Sequence, residues 1–386
     1  MSTALLLVPL ALALLLLAPS TASGGGGRRS WTAADYGATP DDGKDDTLAL
    51  RWALGNCSAT GGAVRIPAGH YIVSPFTVSN GGSLPEGFPA TVEMLPVPSN
   101  CHVYGDGRDG LRNTTIVMST TGGSDDQGVN GVDGCWWRMF GWCPHRPCIN
   151  PPSNLTITDL HLSGSTNWTG YGNSSIAGQR EHGSLIFFYA ANGTSVIKGI
   201  TVERIFAEKS AGDCMDFGDG VQDLLVSDII QRDCLRTGVD QAGYGPLSRN
   251  REIRFVRDLP GTPGVGQGNT IHAEETNNLT NVWIHHNNCS MSLQTSGLND
   301  SRIENNVVFG QILGNGNRRI TIFNNTIHQL RPYDAYSEYG DSPMISQGFV
   351  QGANISFNRL VVSLPACRRS EIVEPGDLAD GPAATN

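Results

Sequence analysis

Four short stretches share one order of residue types, small, then apolar, then polar: Cys214-Met215-Asp216, Gly238-Val239-Asp240, Thr270-Ile271-His272 and Ser292-Leu293-Gln294. Their polar members follow one another at 24, 32 and 22 residues. Side chains alternate along an extended chain. If each stretch is one strand of a separate coil, Met215, Val239, Ile271 and Leu293 point inward, and Asp216, Asp240, His272 and Gln294 line up outside. Carboxylates on adjacent strands stand about 5 Å apart. Two that close do not ionise together easily, so one keeps its proton as a general acid and the other serves as a base. An imidazole next to them can accept a proton or orient a water, and an amide can hold a sugar hydroxyl. Glycosidic cleavage needs such a set. The competing role is plain decoration of a solvated sheet face.

Asp213 lies beside this row, within a segment holding seven Asp in the 28 residues from Asp213 to Asp240. Several carboxylates together can bind Ca²⁺. With Arg236 or Arg204 to neutralise a uronate carboxylate, that is the equipment of a polysaccharide lyase or a C5-epimerase. Asp is equally the ordinary residue of turns, and about half of this set fits that role. Glu274 and Glu275 add acids one coil beyond Asp240, Glu274 as a substrate contact. Trp136, Trp137 and Trp142 crowd the segment Cys135–Cys143 and can stack on sugar rings, or form a small core under a loop. Arg180-Glu181-His182 is a further candidate. Arg249, Arg251, Arg254 and Arg257 could meet a polyanion, but alternation makes them a solvated strand edge, with Arg249 and Arg251 on one face and Arg254 on the other.

The elements that would carry these residues repeat. Trp283-Ile284-His285-His286-Asn287-Asn288, Arg302-Ile303-Glu304-Asn305-Asn306-Val307 and Thr321-Ile322-Phe323-Asn324-Asn325-Thr326 follow at 19-residue intervals, with a looser copy at Asn354-Ile355-Ser356-Phe357-Asn358. Each is a short alternating strand and a polar turn. Asn287, Asn306, Asn325 and Asn358 suit a left-handed bend and, stacked about 4.8 Å apart, an amide ladder. Unequal repeats of β-branched strands describe an all-β parallel β-helix. A helix from Asp46-Thr47 through Leu54, with Ala, Leu and Trp52 at helical spacing and Gly55 ending it, would cap the first coil.

Asp35-Tyr36-Gly37-Ala38, Gly43-Lys44-Asp45-Asp46-Thr47, Gly61-Gly62-Ala63-Val64-Arg65-Ile66-Pro67-Ala68-Gly69-His70-Tyr71 and Tyr104-Gly105-Asp106-Gly107-Arg108 resemble the opening of pectate-lyase-superfamily proteins, among them polygalacturonases and phage tailspike depolymerases. The resemblance covers about the first hundred residues after the apolar N-terminus and implies a right-handed, single-stranded β-helix. Gly212-Asp213-Cys214 faintly matches the polygalacturonase N-T-D-G motif. Thr237-Gly238-Val239-Asp240 matches T-G-D-D, with Val239 in place of one Asp. His272 lacks the flanking glycines of G-H-G, and Ser301-Arg302-Ile303-Glu304 only echoes R-I-K.

Composition narrows the partners. Lys and Arg number 26 against 36 Asp and Glu, a net charge of −10, which is the wrong sign for a nucleic-acid binder. Residues 1–23 read as a signal peptide: Ala4–Ala18 is nearly all Leu, Ala and Val, followed by small residues. Residues 24–30 read as a linker, 31–368 as the β-helix domain and 369–386 as a disordered tail. Eleven Asn-x-Ser/Thr sequons agree with a secreted glycoprotein. The nine cysteines then read as disulfides plus one odd thiol, rather than as a zinc site of Cys135, Cys143, Cys148 and His145. No metal ligands are assigned, and Ca²⁺ is the one cofactor in view. The expectation is a monomer without membrane contact once the signal is removed. It acts on an acidic extracellular polysaccharide through Asp216, Asp240, His272 and Asp213, with Arg236, Gln294, Glu274, Trp136, Trp137 and Trp142 binding it. A lyase or epimerase, or a non-catalytic wall protein, are the alternatives.

Overall fold

The computed structural model describes residues 29–74, 91–110, 113–119, 136–142, 151–164, 184–190, 195–210, 212–234, 236–243, 247–260, 269–273, 279–330, 345–348 and 350–363. The signal peptide, most of the linker, the tail, Glu274, Glu275, the Arg180–His182 stretch and the Cys135/Cys143/Cys148/His145 set lie outside them.

Strands stack in parallel, each on the equivalent strand one coil away. One succession runs Gly62–Ile66, Cys101–Gly105, Ser153–Ser163, Ile197–Ser210, Val221–Cys234, Arg249–Asp258 and Leu279–His285. From there Arg302–Glu304, Thr321–Phe323 and Asn354–Ser356 continue it at 19- and 33-residue steps. A second, nine-stranded sheet runs from Thr91–Pro96 to Ile345–Gly348. The architecture is the parallel β-helix that the repeats imply. Inward columns such as Val202, Val226, Ile253, Ile284, Ile303 and Ile322 fill a continuous apolar interior.

Left-handed residues mark the corners, at Asp223, Asp228, Asp233, Asn250, Phe255, Asn281, His286, Asn305 and Asn324 among others. Three of the seven clustered aspartates are therefore turn residues. The amide ladder is present, but its members and the bend are different residues. Asn287 Nδ2 donates to Asn306 Oδ1 at 3.0 Å, Asn306 to Asn325 at 2.9 Å and Asn325 to Asn358 at 2.9 Å. His286, Asn305, Asn324 and Phe357, one residue earlier, take the positive φ. That corner turns the following amide inward, where it bonds along the stack.

The cap differs from expectation in two respects. The helix spans Thr47–Thr60 and runs through Gly55, ending at Gly61, whose N–H reaches Cys57 O. Leu50, Ala53, Leu54 and Cys57 form the buried stripe, and a disulfide from Cys57 to Cys101 on the first stacked strand holds the last turn in place. Trp52 is off that stripe and 59% exposed. A second disulfide joins Cys214 to Cys234, and Cys289 is a buried free thiol. No helix among the described residues is long and apolar enough to cross a membrane.

Candidate functional site

The nine-stranded sheet brings the row together in register. Met215–Phe217 pairs with Thr237–Gln241 so that Asp216 faces Asp240, Asp240 faces His272 on Asn269–Ala273, and His272 faces Gln294 on Leu293–Ser296. Met215, Val239, Ile271 and Leu293 are fully buried on the opposite, inner side. Upstream, the same column continues through Phe187.

The row is no solvated face. Asp216, Asp240 and His272 are only 7%, 1% and 9% exposed. Ionisable groups are that deeply buried only where partners compensate the lost hydration. His272 Nδ1 lies 3.1 Å from Asp240 Oδ1. Arg236 Nη1 lies 3.0 Å from Asp213 Oδ2 and 3.6 Å from Asp240 Oδ2, so it bridges two acids. Burial opposes ionisation of Asp240, but His272 and then Arg236 outweigh it and hold its carboxyl below the usual carboxylate range. Asp240 is thus an anion at neutral pH.

Strand ends around the row are braced from behind. Gln231 Nε2 donates to Asp258 Oδ1 at 2.5 Å and to Thr270 O at 3.1 Å, two residues before His272. Gly238 leaves room for it, since a Cβ there would stand 1.8 Å from Gln231 Nε2. Asp219, which follows the first strand, accepts from Ser248 Oγ at 3.0 Å.

Arg251 is the largest departure from the sequence reading. It is 1% exposed and lies inside the coil, because the left-handed residue Asn250 breaks the alternation that paired it with Arg249. Its guanidinium donates to main-chain carbonyls: Phe217 O at 2.8 Å, Gly218 O at 2.7 Å, Val221 O at 3.3 Å and Ala242 O at 3.3 Å. Burial pushes its pKa down to about 9, while Asp216, Asp219 and Asp240 pull the other way. A signal for it existed in the sequence, since Arg251 falls at the apolar position of its repeat.

Other expected site residues are placed elsewhere or outside view. Arg204 lies on the other sheet, paired with Asp159 at 2.7 Å and Glu203 at 2.6 Å, and does not join the row. Trp136, Trp137 and Trp142 belong to one strand of the nine-stranded sheet, two coils before Asp216, and their side chains are outside the described residues. Carboxylate oxygens of Asp213, Asp216 and Asp240 lie within 4.8 Å of one another, close enough to share a metal ion. Ca²⁺ asks for six to eight oxygens, and here the Arg236 guanidinium already stands against two of the three acids. As arranged, the cluster fits an internal cation better than Ca²⁺.

No family model matches the sequence, and no curated protein sequence matches it. Solved structures do. PfbA, a surface adhesin of Streptococcus pneumoniae, is similar with a TM-score of 0.55 at 13% identity, covering 87% of this chain and 80% of the adhesin. A mutant tailspike protein of E. coli bacteriophage HK620, in complex with a pentasaccharide, is similar with a TM-score of 0.53 at 12% identity, covering 86% of this chain and 57% of the tailspike. A Geobacillus virus E2 protein, ORF18, matches over 86% of this chain and 61% of its own, with 12% identity and a TM-score of 0.45. The chain thus spans about three fifths of the two viral chains. At these identities the likeness shows the fold alone, a right-handed parallel β-helix, as the opening motifs imply.

Proposed function

We propose that this chain is a secreted carbohydrate-active protein that cleaves glycosidic bonds of an extracellular polysaccharide at the Asp216–Asp240–His272 row. The observation that carries this reading is the burial of three facing ionisable side chains in one column, with His272 3.1 Å from Asp240. A fold gains nothing from such a set where aliphatic residues would stack, and perturbed, buried titratable groups concentrate at functional sites. The carbohydrate class is supported by the tailspike with its pentasaccharide, by analogy of fold.

In this reading Asp216, the more exposed carboxyl of the pair, carries the proton to the glycosidic oxygen as the bond to the anomeric carbon breaks. Asp240, ionised and oriented by His272 and Arg236, is the carboxylate that assists attack at the anomeric carbon. The short separation of the two acids favours retention, with Asp240 bonded to the sugar until water replaces it. A water held between them and deprotonated by Asp240 would instead give inversion. Gln294, one coil beyond His272, would take a sugar hydroxyl. Arg236 is the cation that would meet a uronate carboxylate, by exchanging one of its two acids for it.

The Asp213–Asp216–Asp240 cluster motivates a second reading, a Ca²⁺-dependent lyase or epimerase, in which Arg236 would have to swing away. A glycan-binding surface protein without turnover is the third, in line with the adhesin. Incubating the protein with polyuronates and neutral glycans, with and without Ca²⁺, separates them. New reducing ends without ultraviolet absorbance are expected for hydrolysis. Unsaturated uronides appearing only with Ca²⁺ would replace it by the lyase, and binding without either signal would leave the surface protein.

A further inference from the structure

Arg251 stands in a column that is otherwise aliphatic. Its neighbours one coil to either side are Leu224 and Val282, and Ile200 lies beyond Leu224, all buried. A Leu or Met would continue this column without taking a charge out of water, and a buried charge is costly unless its hydrogen bonds are satisfied. So the solenoid itself gives no reason for a guanidinium at this coil.

The acceptors supply one. Phe217 and Gly218 directly follow Asp216, Val221 closes the turn after them, and Ala242 lies two residues beyond Asp240. One planar fork therefore ties together the chain leaving both carboxylates. All four bonds go to neutral carbonyls, so among the described residues the positive charge is not cancelled by contact with a counter-ion. Its field falls on the acids nearby, Asp216 first, then Asp219 and Asp240, and with a pKa of about 9 the group is charged at neutral pH.

We infer that Arg251 is a positioning residue for the acid row. It fixes the separation of the strands that carry Asp216 and Asp240 by binding four main-chain carbonyls, and from inside the coil it stabilises their carboxylate charge. The inference rests on the site proposed above, although half of it can be read without turnover. Arg251 touches no substrate, since it lies beneath the row on the core side.

The test compares wild type, R251M and R251K by carboxyl-carbon NMR titration of the Asp side chains, and by the pH dependence of kcat and KM on whichever glycan is turned over. R251M is expected to fold, with a melting temperature equal to or above that of wild type. In it the Asp216 titration moves to higher pH, and the alkaline limb of the rate profile, which marks loss of the Asp216 proton, follows. There kcat falls about tenfold or more at nearly constant KM, because the strand separation is no longer fixed. R251K should return the titrations toward wild type through its charge, but not kcat, because an ammonium cannot bridge the four carbonyls. If R251M does not fold, R251K is the variant read, with near wild-type titrations and reduced kcat expected. Asp titrations that R251M leaves unmoved, or R251K kinetics equal to wild type, would overturn the inference. Shifted titrations in a protein that turns over no glycan would uphold the electrostatic role and sink the catalytic reading instead.

Discussion

Two stacks of buried polar side chains run along this helix, one residue per coil, and they are built on opposite plans. In the ladder Asn287, Asn306, Asn325 and Asn358 are identical and neutral, and each amide donates to the next. In the row Asp216, Asp240, His272 and Gln294 are of three kinds, and two acids face each other directly. The ladder satisfies itself, whereas the row needs Arg236 from the bend before the Asp240 strand and Arg251 from the interior. Repetition of one residue solves a packing problem. A succession of unlike, mutually unfavourable residues held by buried cations marks a place where stability was not the only requirement.

Breaking the row should therefore cost activity, and breaking the ladder should cost stability. D240N is expected to lower turnover per folded molecule about a thousandfold while glycan affinity stays close to wild type. Steady-state rates beside calorimetric titration check this, and a variant that keeps a tenth of wild-type turnover would move the base elsewhere. N306A leaves Asn287, Asn325 and Ile284 O without their partner. It should lose about 3 kcal/mol or more in urea unfolding, with kcat per folded molecule unchanged.

A charged cluster on the other sheet sharpens the contrast. Glu208 is buried between His161, 3.1 Å away, and Arg232. Burial opposes its ionisation, but these two partners lower its pKa from 4.5 to about 2. Because the folded value is the lower one, this pairing contributes stability above about pH 4.5 and loses it as the pH falls toward 2. E208Q should remove about 2 to 3 kcal/mol at neutral pH and flatten the acid limb of the stability profile, leaving turnover alone. Smallest of all, D300N breaks the exposed pair with Arg319 yet keeps a residue that tolerates the left-handed corner, and no change in melting temperature is expected.

The row was legible in the sequence because strand alternation needs only residue types and a period. Its spacings of 24, 32 and 22 residues coincide with the paired registers. Arg251 was misplaced by the same rule, since one left-handed residue resets the alternation and nothing in the letters Arg-Asn-Arg states the φ of Asn250. The ladder was found, but its bend was assigned to the ladder Asn itself and not to the residue before it, for the same reason. Asp213 and Arg236 were both singled out, one as acid and one as a substrate contact. That they pair with each other at 3.0 Å depends on a corner geometry that composition cannot convey. Gly55 was taken as a helix end, whereas the Cys57–Cys101 bond supplies a tertiary anchor that outweighs its low propensity.

That disulfide also gives the molecule a direction. A stack in which each coil touches only its neighbours opens from whichever terminus is cheaper to peel. At the N-terminal side the cap is stapled covalently to the first coils, while the last described coil leaves Ile355, Phe357 and Leu360 largely open to water. Under heat, proteolysis or a pulling force the chain should come apart like a zipper with one end sewn shut. Amide exchange would then advance from the C-terminal coils toward Asp216, Asp240 and His272, which fail only after the ladder has gone.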